Sequence, residues 1–235
     1  ASMSPQPPAP ARRTPRLPPR GGSGSVPDWA LRQNWLRRWW REPEPHLVGK
    51  RVVILDGEDD FVNMLSHVFG VLGMSTDIVR HDAYSEGDLD GYDLVVVGPG
   101  PGDPRADEPK MRVLRGAVDR LLASGRPFLG VCLGHQTLCH QLGLDLTFKD
   151  IVFQGTQSRL DVLGRTETVG FYNTFVARVP ETGLPEGVGV ETDDNGDVHL
   201  VSGPHYRGIQ FHAESILTQR GYELLRDVVN ELLPA

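Results

Sequence analysis

The chain holds 235 residues, 39% hydrophobic and 23% charged, with a formal net charge of −7, which is enough for one sizeable core and an appendage. Its two cysteines, seven positions apart, fit neither a disulfide framework nor a zinc spacing, and no apolar run reaches the length that crosses a bilayer. Residues 1–46 carry eight arginines against Asp28, Glu42 and Glu44, a balance of +5 that leaves −12 for residues 47–235 and argues against nucleic acid as the partner of that acidic part.

Residues 1–27 hold eight prolines among Ser, Gly and Arg without hydrophobic periodicity, and are expected to form a disordered tail or linker. Residues 28–46 change character. Asp28 is placed to cap a helix, and Leu31, Trp35, Leu36 and Trp39 recur at helical spacing before Pro43 and Pro45 end it. A helix so rich in tryptophan needs a partner surface, and a protein surface is favoured over a membrane. The main domain is expected over 47–235. From Lys50 strands and helices alternate: strands over 51–55, 76–79, 93–97 and 127–131, and helices over 61–73 and 109–123. That order predicts an α/β fold, a doubly wound and mostly parallel sheet with helices on both faces. Residues 151–201 read as shorter strands with turns at Gly155, Gly164, Asp194-Asn195-Gly196 and Pro204, a small antiparallel extension. A last strand is expected over 207–212 and a last helix over 215–232.

In such sheets ligands bind beyond the C-terminal ends of the strands. Three segments fall at such ends: 56–60, 98–104, and Cys132. Gly130 and Gly134 flank Cys132 at i−2 and i+2, the arrangement of a nucleophile elbow, in which the reactive side chain sits on a sharp strand-to-helix turn. A helix N-terminus there favours the thiolate. His212 and Glu214 follow an apolar strand at i and i+2, so alternation points both to one face. A cysteine nucleophile needs a base, and the base needs an orienting acceptor; Cys132, His212 and Glu214 fit those roles. Taken singly, His212 reads as a buried histidine and Glu214 as a helix N-terminal carboxylate near Ser215, but their shared position beside the elbow favours the triad. His135, His140 and His205 lack such company. In Gly98-Pro-Gly-Pro-Gly-Asp-Pro104 the prolines remove donors and leave the Gly102 N–H to face a developing oxyanion, with the Leu133 N–H as its companion. A phosphate loop is rejected, because the spacing matches no phosphate motif and its lysine is missing.

Gly98-Pro-Gly-Pro-Gly102, Gly130-Val-Cys-Leu-Gly-His-Gln136 and Gln210-Phe-His-Ala-Glu-Ser-Ile216, in that order, resemble the motifs of the class I (triad) glutamine amidotransferases, and the resemblance covers residues 50–232. It implies a flavodoxin-like fold and an enzyme that hydrolyses L-glutamine to glutamate and ammonia. Cys132 would be the nucleophile, His212 the base and acid, and Glu214 its orienter. Gly100, Pro101, Gly102, Leu133 and Gln136, with the backbone of Thr174 and Phe175, would hold glutamine and the oxyanion. Ala213 replaces the proline usual between His and Glu, a change that should leave the triad intact.

Among these enzymes the chain is most similar to the glutaminase parts of chorismate-aminating synthases. It departs from the anthranilate and aminodeoxychorismate pattern at Asp56-Gly-Glu-Asp-Asp-Phe61, Gln154-Gly-Thr156 and Tyr172-Asn-Thr-Phe175, and there resembles the phenazine-type 2-amino-2-deoxyisochorismate synthases. The resemblance implies a chorismate-binding partner domain or subunit, Mg²⁺ in that partner and no cofactor in this chain, the tryptophan-rich helix as an interdomain linker, and a cytoplasmic enzyme of secondary metabolism. Three alternatives stand beside it: an anthranilate or aminodeoxychorismate synthase component, a free-standing glutaminase, and a non-catalytic glutamine-binding regulatory module.

Overall fold

The computed structural model describes residues 42–149 and 152–235, so the expected tail and the helical part of the tryptophan-rich segment lie outside the described residues. Strand β1 (Arg51–Asp56) shows how the sheet is built. Val52, Val53, Ile54 and Leu55 are all fully buried, which requires cover on both faces. Alternate residues serve the two faces. Val52 and Ile54 join one hydrophobic cluster, with helix α1 (Phe61–Leu72) and helix α4 (Gly221–Leu232). Val53 and Leu55 join the other, with helix α2 (Pro109–Ser124) and helix α3 (Leu133–Gln141). Pro109 opens α2 at a position where its missing N–H costs nothing, and Gly73, at φ +98°, ends α1 in the left-handed conformation.

β1 pairs in parallel with β2 (Ser75–Arg80) on one side and β3 (Leu94–Val97) on the other; β3 pairs in parallel with β4 (Phe128–Val131), and β4 with β11 (Tyr206–Ile209). β1, β3, β4 and β11 are therefore adjacent, and the chain leaves all four at one edge of the sheet. Beyond β11 the sheet turns antiparallel through β10 (Val198–Ser202), β8 (Phe175–Arg178) and β5 (Asp145–Phe148), with β9 (Gly189–Thr192) also on β10. The predicted doubly wound fold with an antiparallel extension is what forms.

The differences lie after Phe148. β5 was not anticipated, and β6 (Thr156–Val162) and β7 (Arg165–Phe171) leave the extension to form a separate two-stranded sheet. Their turn places Leu163 at φ +51° and Gly164 at φ +71°, the left-handed pair of a tight hairpin. The last strand ends at Ile209, three residues before His212. The last helix begins at Gly221 instead of Ser215. Competing bonds hold the intervening segment in turns: Thr218 Oγ1 donates to the His212 carbonyl at 2.6 Å and accepts from Gly170 N–H at 3.0 Å, and Gln219 N–H donates to the Thr168 carbonyl at 3.0 Å. These bonds tie residues 212–219 to β7.

Candidate active site

Cys132 stands between β4 and α3 at φ +51° and ψ −102°, a strained conformation for a residue with a Cβ. Local packing enforces it. A Cβ on Gly134 would lie 2.0 Å from the Val97 carbonyl oxygen, so only glycine lets α3 start this close to β3. The Cys132 N–H donates to the Ile209 carbonyl at 2.9 Å and its carbonyl accepts from Gln136 N–H at 3.0 Å, joining the strand to the first helical turn. The two cysteines divide cleanly. Cys132 faces a cavity of about 910 Å³, whereas Cys139 is fully buried on α3, where burial pushes its thiol up. His135 is structural: its Nε2 lies 3.2 Å from the Val198 carbonyl, and burial lowers its pKa to about 4.

His212 and Glu214 meet, though by a route other than strand alternation. Both lie in the turn beyond β11, and His212 Nδ1 is 2.7 Å from Glu214 Oε1 with both side chains buried. The His212 N–H donates to the Gly170 carbonyl at 2.9 Å and fixes the backbone. Phe61 and Tyr172 pack on the imidazole with ring centroids 4.6 and 5.2 Å away. Burial opposes a charge on His212, but Cys132 and the Glu214 carboxylate outweigh it and hold the pKa well above 6.5. His212 Nε2, the nitrogen that Glu214 does not engage, is buried without a hydrogen-bond partner.

The cavity brings together most of the expected binding residues. Gly100, Pro101, Gly102, Gln136, Thr174 and Phe175 line it with Cys132. Leu133 does not: its side chain is buried in the α2–α3 core, leaving its backbone N–H as the group to consider. His212 and Glu214 lie behind the wall, and Phe61 and Tyr172, which pack on His212, do line it. Asp56, Glu58, Asp59 and Asp60 also line the cavity, and Asp56 Oδ1 accepts from the N–H groups of Glu58 at 2.7 Å and Asp59 at 3.1 Å. The loops after β1 and β3 touch backbone to backbone: a Cβ on Gly100 would lie 2.0 Å from the Gly57 oxygen. Gly102 sits at φ +136°, and the next residue anchors its loop. Asp103 accepts from Arg105 N, Nε and Nη2, each at 2.9 Å, and the guanidinium stacks 5.0 Å from the Phe175 ring centroid.

Gln136 differs from expectation in detail. Its Nε2 donates to the Phe175 carbonyl and to Gln210 Oε1, both at 2.9 Å, so its donors serve the protein and its carbonyl oxygen is what remains for a substrate. Gln210, Asn173, Tyr172 and Arg105 also stand at the site, without a role assigned to them by the motifs. Gln210 carried a signal, a lone amide in the apolar run Gly208-Ile-Gln-Phe211; the others are recognised only through the strands they join. Among the described residues no group of three or more His, Cys, Asp or Glu could hold a metal ion, and no helix is long and apolar enough to cross a membrane.

A family model described as glutamine amidotransferase class-I matches residues 53–232. A protein of Pseudomonas chlororaphis named anthranilate synthase, phenazine specific, is 42% identical over 192 residues, which cover 79% of this chain and 30% of that protein. A Pseudomonas aeruginosa protein named anthranilate synthase component 2, pyocyanine specific, is 31% identical over 195 residues, covering 76% of this chain and 92% of that one. The chain thus spans about a third of the length of the first of these relatives and nearly all of the second. Among solved structures, a putative GMP synthase subunit from Thermoplasma acidophilum superposes with a TM-score of 0.66 at 19% identity, covering 78% of this chain and 94% of that one. A glutamine amidotransferase from Thermotoga maritima superposes at 0.65 and 18% identity, covering 79% and 99%. Both likenesses speak for the fold.

Proposed function

The chain belongs to the class I glutamine amidotransferases, and from that premise we propose that it hydrolyses L-glutamine with Cys132, His212 and Glu214 and passes the ammonia to a chorismate-aminating synthase. The observation that carries the reading is the buried 2.7 Å contact of His212 with Glu214 beside the only cysteine that meets the cavity. The proposed reaction starts from an imidazolium at His212, whose pKa is held well above 6.5, and uses the sulfur of Cys132 as the thiolate nucleophile. The sulfur attacks the side-chain carbonyl of glutamine, and the Gly102 and Leu133 N–H groups receive the oxyanion; one such donor is typically worth about 3 kcal/mol. His212 gives its proton to the departing nitrogen, releasing ammonia and leaving a γ-glutamyl thioester. The neutral imidazole then takes a proton from water, whose attack frees glutamate and restores the thiolate–imidazolium pair. Each proton transfer contributes roughly 10² to 10⁴ in rate. Glu214 stays ionised and holds the Nδ1 proton throughout.

The synthase is proposed as a domain or subunit that binds chorismate and Mg²⁺, and the product as 2-amino-2-deoxyisochorismate, supported by the segments at 56–61, 154–156 and 172–175 and by the 42% identity to a phenazine-specific relative. Anthranilate is the second reading, favoured by the relatives' names. The test is glutamate release by the chain with and without its synthase, followed by mass spectrometry of the product from chorismate. Release stimulated by the partner and an aminodeoxyisochorismate product support the reading; anthranilate favours the second, and no release in any setting rejects both.

A further inference from the structure

Gln210 is 1% exposed in a run of apolar residues, and a buried amide is costly unless both its ends are bonded. Its acceptor end is settled by the backbone. The Phe175 carbonyl can only accept, so the atom 2.9 Å from it is Gln136 Nε2; that nitrogen's second hydrogen points to Gln210 Oε1 at 2.9 Å. The Gln210 Nε2 then faces Cys132 Sγ at 3.6 Å. Three groups thus form a directed chain from Phe175 through Gln136 and Gln210 to the nucleophile, and no flip of either amide preserves it. A thiol is a weak acceptor and a thiolate a strong one. A buried donor with sulfur as its partner is compensated well only when the sulfur is charged.

From this geometry we infer that Gln210 is a positioning residue, which holds the Cys132 sulfur in place and favours its thiolate by donating from Nε2. The inference rests on the reading of Cys132 as nucleophile. Gln210 adds a neutral donor to the sulfur, 3.6 Å away, so removing it leaves the charges of His212 and Glu214 in place and its effect is separable from theirs. The ionisable groups around the pair are His212 with Glu214, Tyr172, whose carbonyl lies 4.0 Å from the sulfur, Asp56, Glu58, Asp59, Asp60 and Arg80 along the main cavity, and Lys149, Asp193, Asp197 and His199 around a small second cavity that Gln210 also lines. All are unchanged in the variants below, so a difference between variants reports Gln210.

The experiment is the pH dependence of iodoacetamide alkylation at Cys132, located by peptide mass spectrometry, in the unaltered chain, Gln210→Met and Gln210→Glu. Gln210→Met removes the donor at similar volume, and the midpoint should rise by about one pH unit, a tenfold loss of thiolate below it. Gln210→Glu keeps the acceptor for Gln136 but sets a carboxyl against the sulfur, and the midpoint should rise at least as far. Wild-type midpoints in both variants overturn the inference. If circular dichroism shows that Gln210→Met has not folded, Gln210→Glu decides alone; if neither folds, Gln136→Leu, which frees the Gln210 amide to turn, must move the midpoint upward or the inference fails. Failure of the glutaminase reading would appear elsewhere, as full glutamate release by Cys132→Ser.

Discussion

Replacing Glu214 by Gln tests the roles assigned around His212 most informatively, because it preserves shape and removes only the charge. In the structure Glu214 Oε1 lies 2.7 Å from His212 Nδ1 and both side chains are at most 1% exposed, so solvent cannot substitute for the lost partner. A hydrogen bond to a charged group is worth about 1.5–3 kcal/mol, which as transition-state stabilisation corresponds to a loss of roughly 10- to 150-fold in kcat/KM. The pH profile should change with a definite sign. Against burial, Cys132 and then the hydrogen bond and charge of Glu214 raise the His212 pKa; without the share of Glu214 it falls, and the alkaline limb of kcat/KM moves to lower pH. Stability follows the same direction. With a folded pKa above the unfolded value near 6.5, the pair's contribution is complete below about pH 6.5 and is lost as pH rises through the folded pKa. Denaturant unfolding of the unaltered chain and Glu214→Gln should therefore differ most at acid pH and converge at alkaline pH. Steady-state glutaminase assays across pH supply the kinetic half. Full turnover with an unmoved alkaline limb contradicts the orienting role of Glu214, and so does a loss as large as that of His212→Ala, because the orienter should matter less than the base.

Three further outcomes are expected. Gly134→Ala drives a Cβ to within 2.0 Å of the Val97 carbonyl oxygen and should cost upward of about 4 kcal/mol, the range of severe core lesions, read as a collapse of the thermal midpoint or of soluble yield. Arg105→Ala removes a partly exposed ion pair worth at most about 1 kcal/mol, so thermal stability should barely change. Glutamine KM should still rise several-fold, because the Asp103–Arg105 pair and the stack on Phe175 tie the Gly102 loop to the far side of the cavity. Cys139→Ala should leave turnover and the site of alkylation unchanged while lowering the denaturation midpoint, since Cys139 is core.

What the sequence made legible was set by local rules. β1, β3 and β4 are runs of apolar residues buried on both faces, and α1 and α2 carry their own stop and start residues in Gly73 and Pro109. Cys132, His212 and Glu214 stand out in the sequence because the elbow and the His-x-Glu spacing are short-range patterns, and the structure places Cys132 at the cavity and the other two in contact. The structure corrected how the last two meet: they come together in a turn beyond β11 that Thr218 and Gly170 hold, where alternation along a strand had been expected. The late start of α4 has the same cause, since long-range bonds from 212–219 to β7 override a favourable helical pattern. β6 and β7 were misplaced because an alternating strand does not record which sheet receives it. Gln210 and Arg105 act across 78 positions to Cys132 and 41 to Leu146, separations at which no periodicity speaks.

In the proposed reaction Cys132 carries glutamine through a covalent intermediate. Acid-quenched chain, taken during glutamine turnover with its synthase partner and digested for mass spectrometry, should show a γ-glutamyl adduct on the peptide bearing Cys132 and none in Cys132→Ser, which should release no glutamate. An adduct on another residue, or undiminished glutamate release by Cys132→Ser, contradicts it.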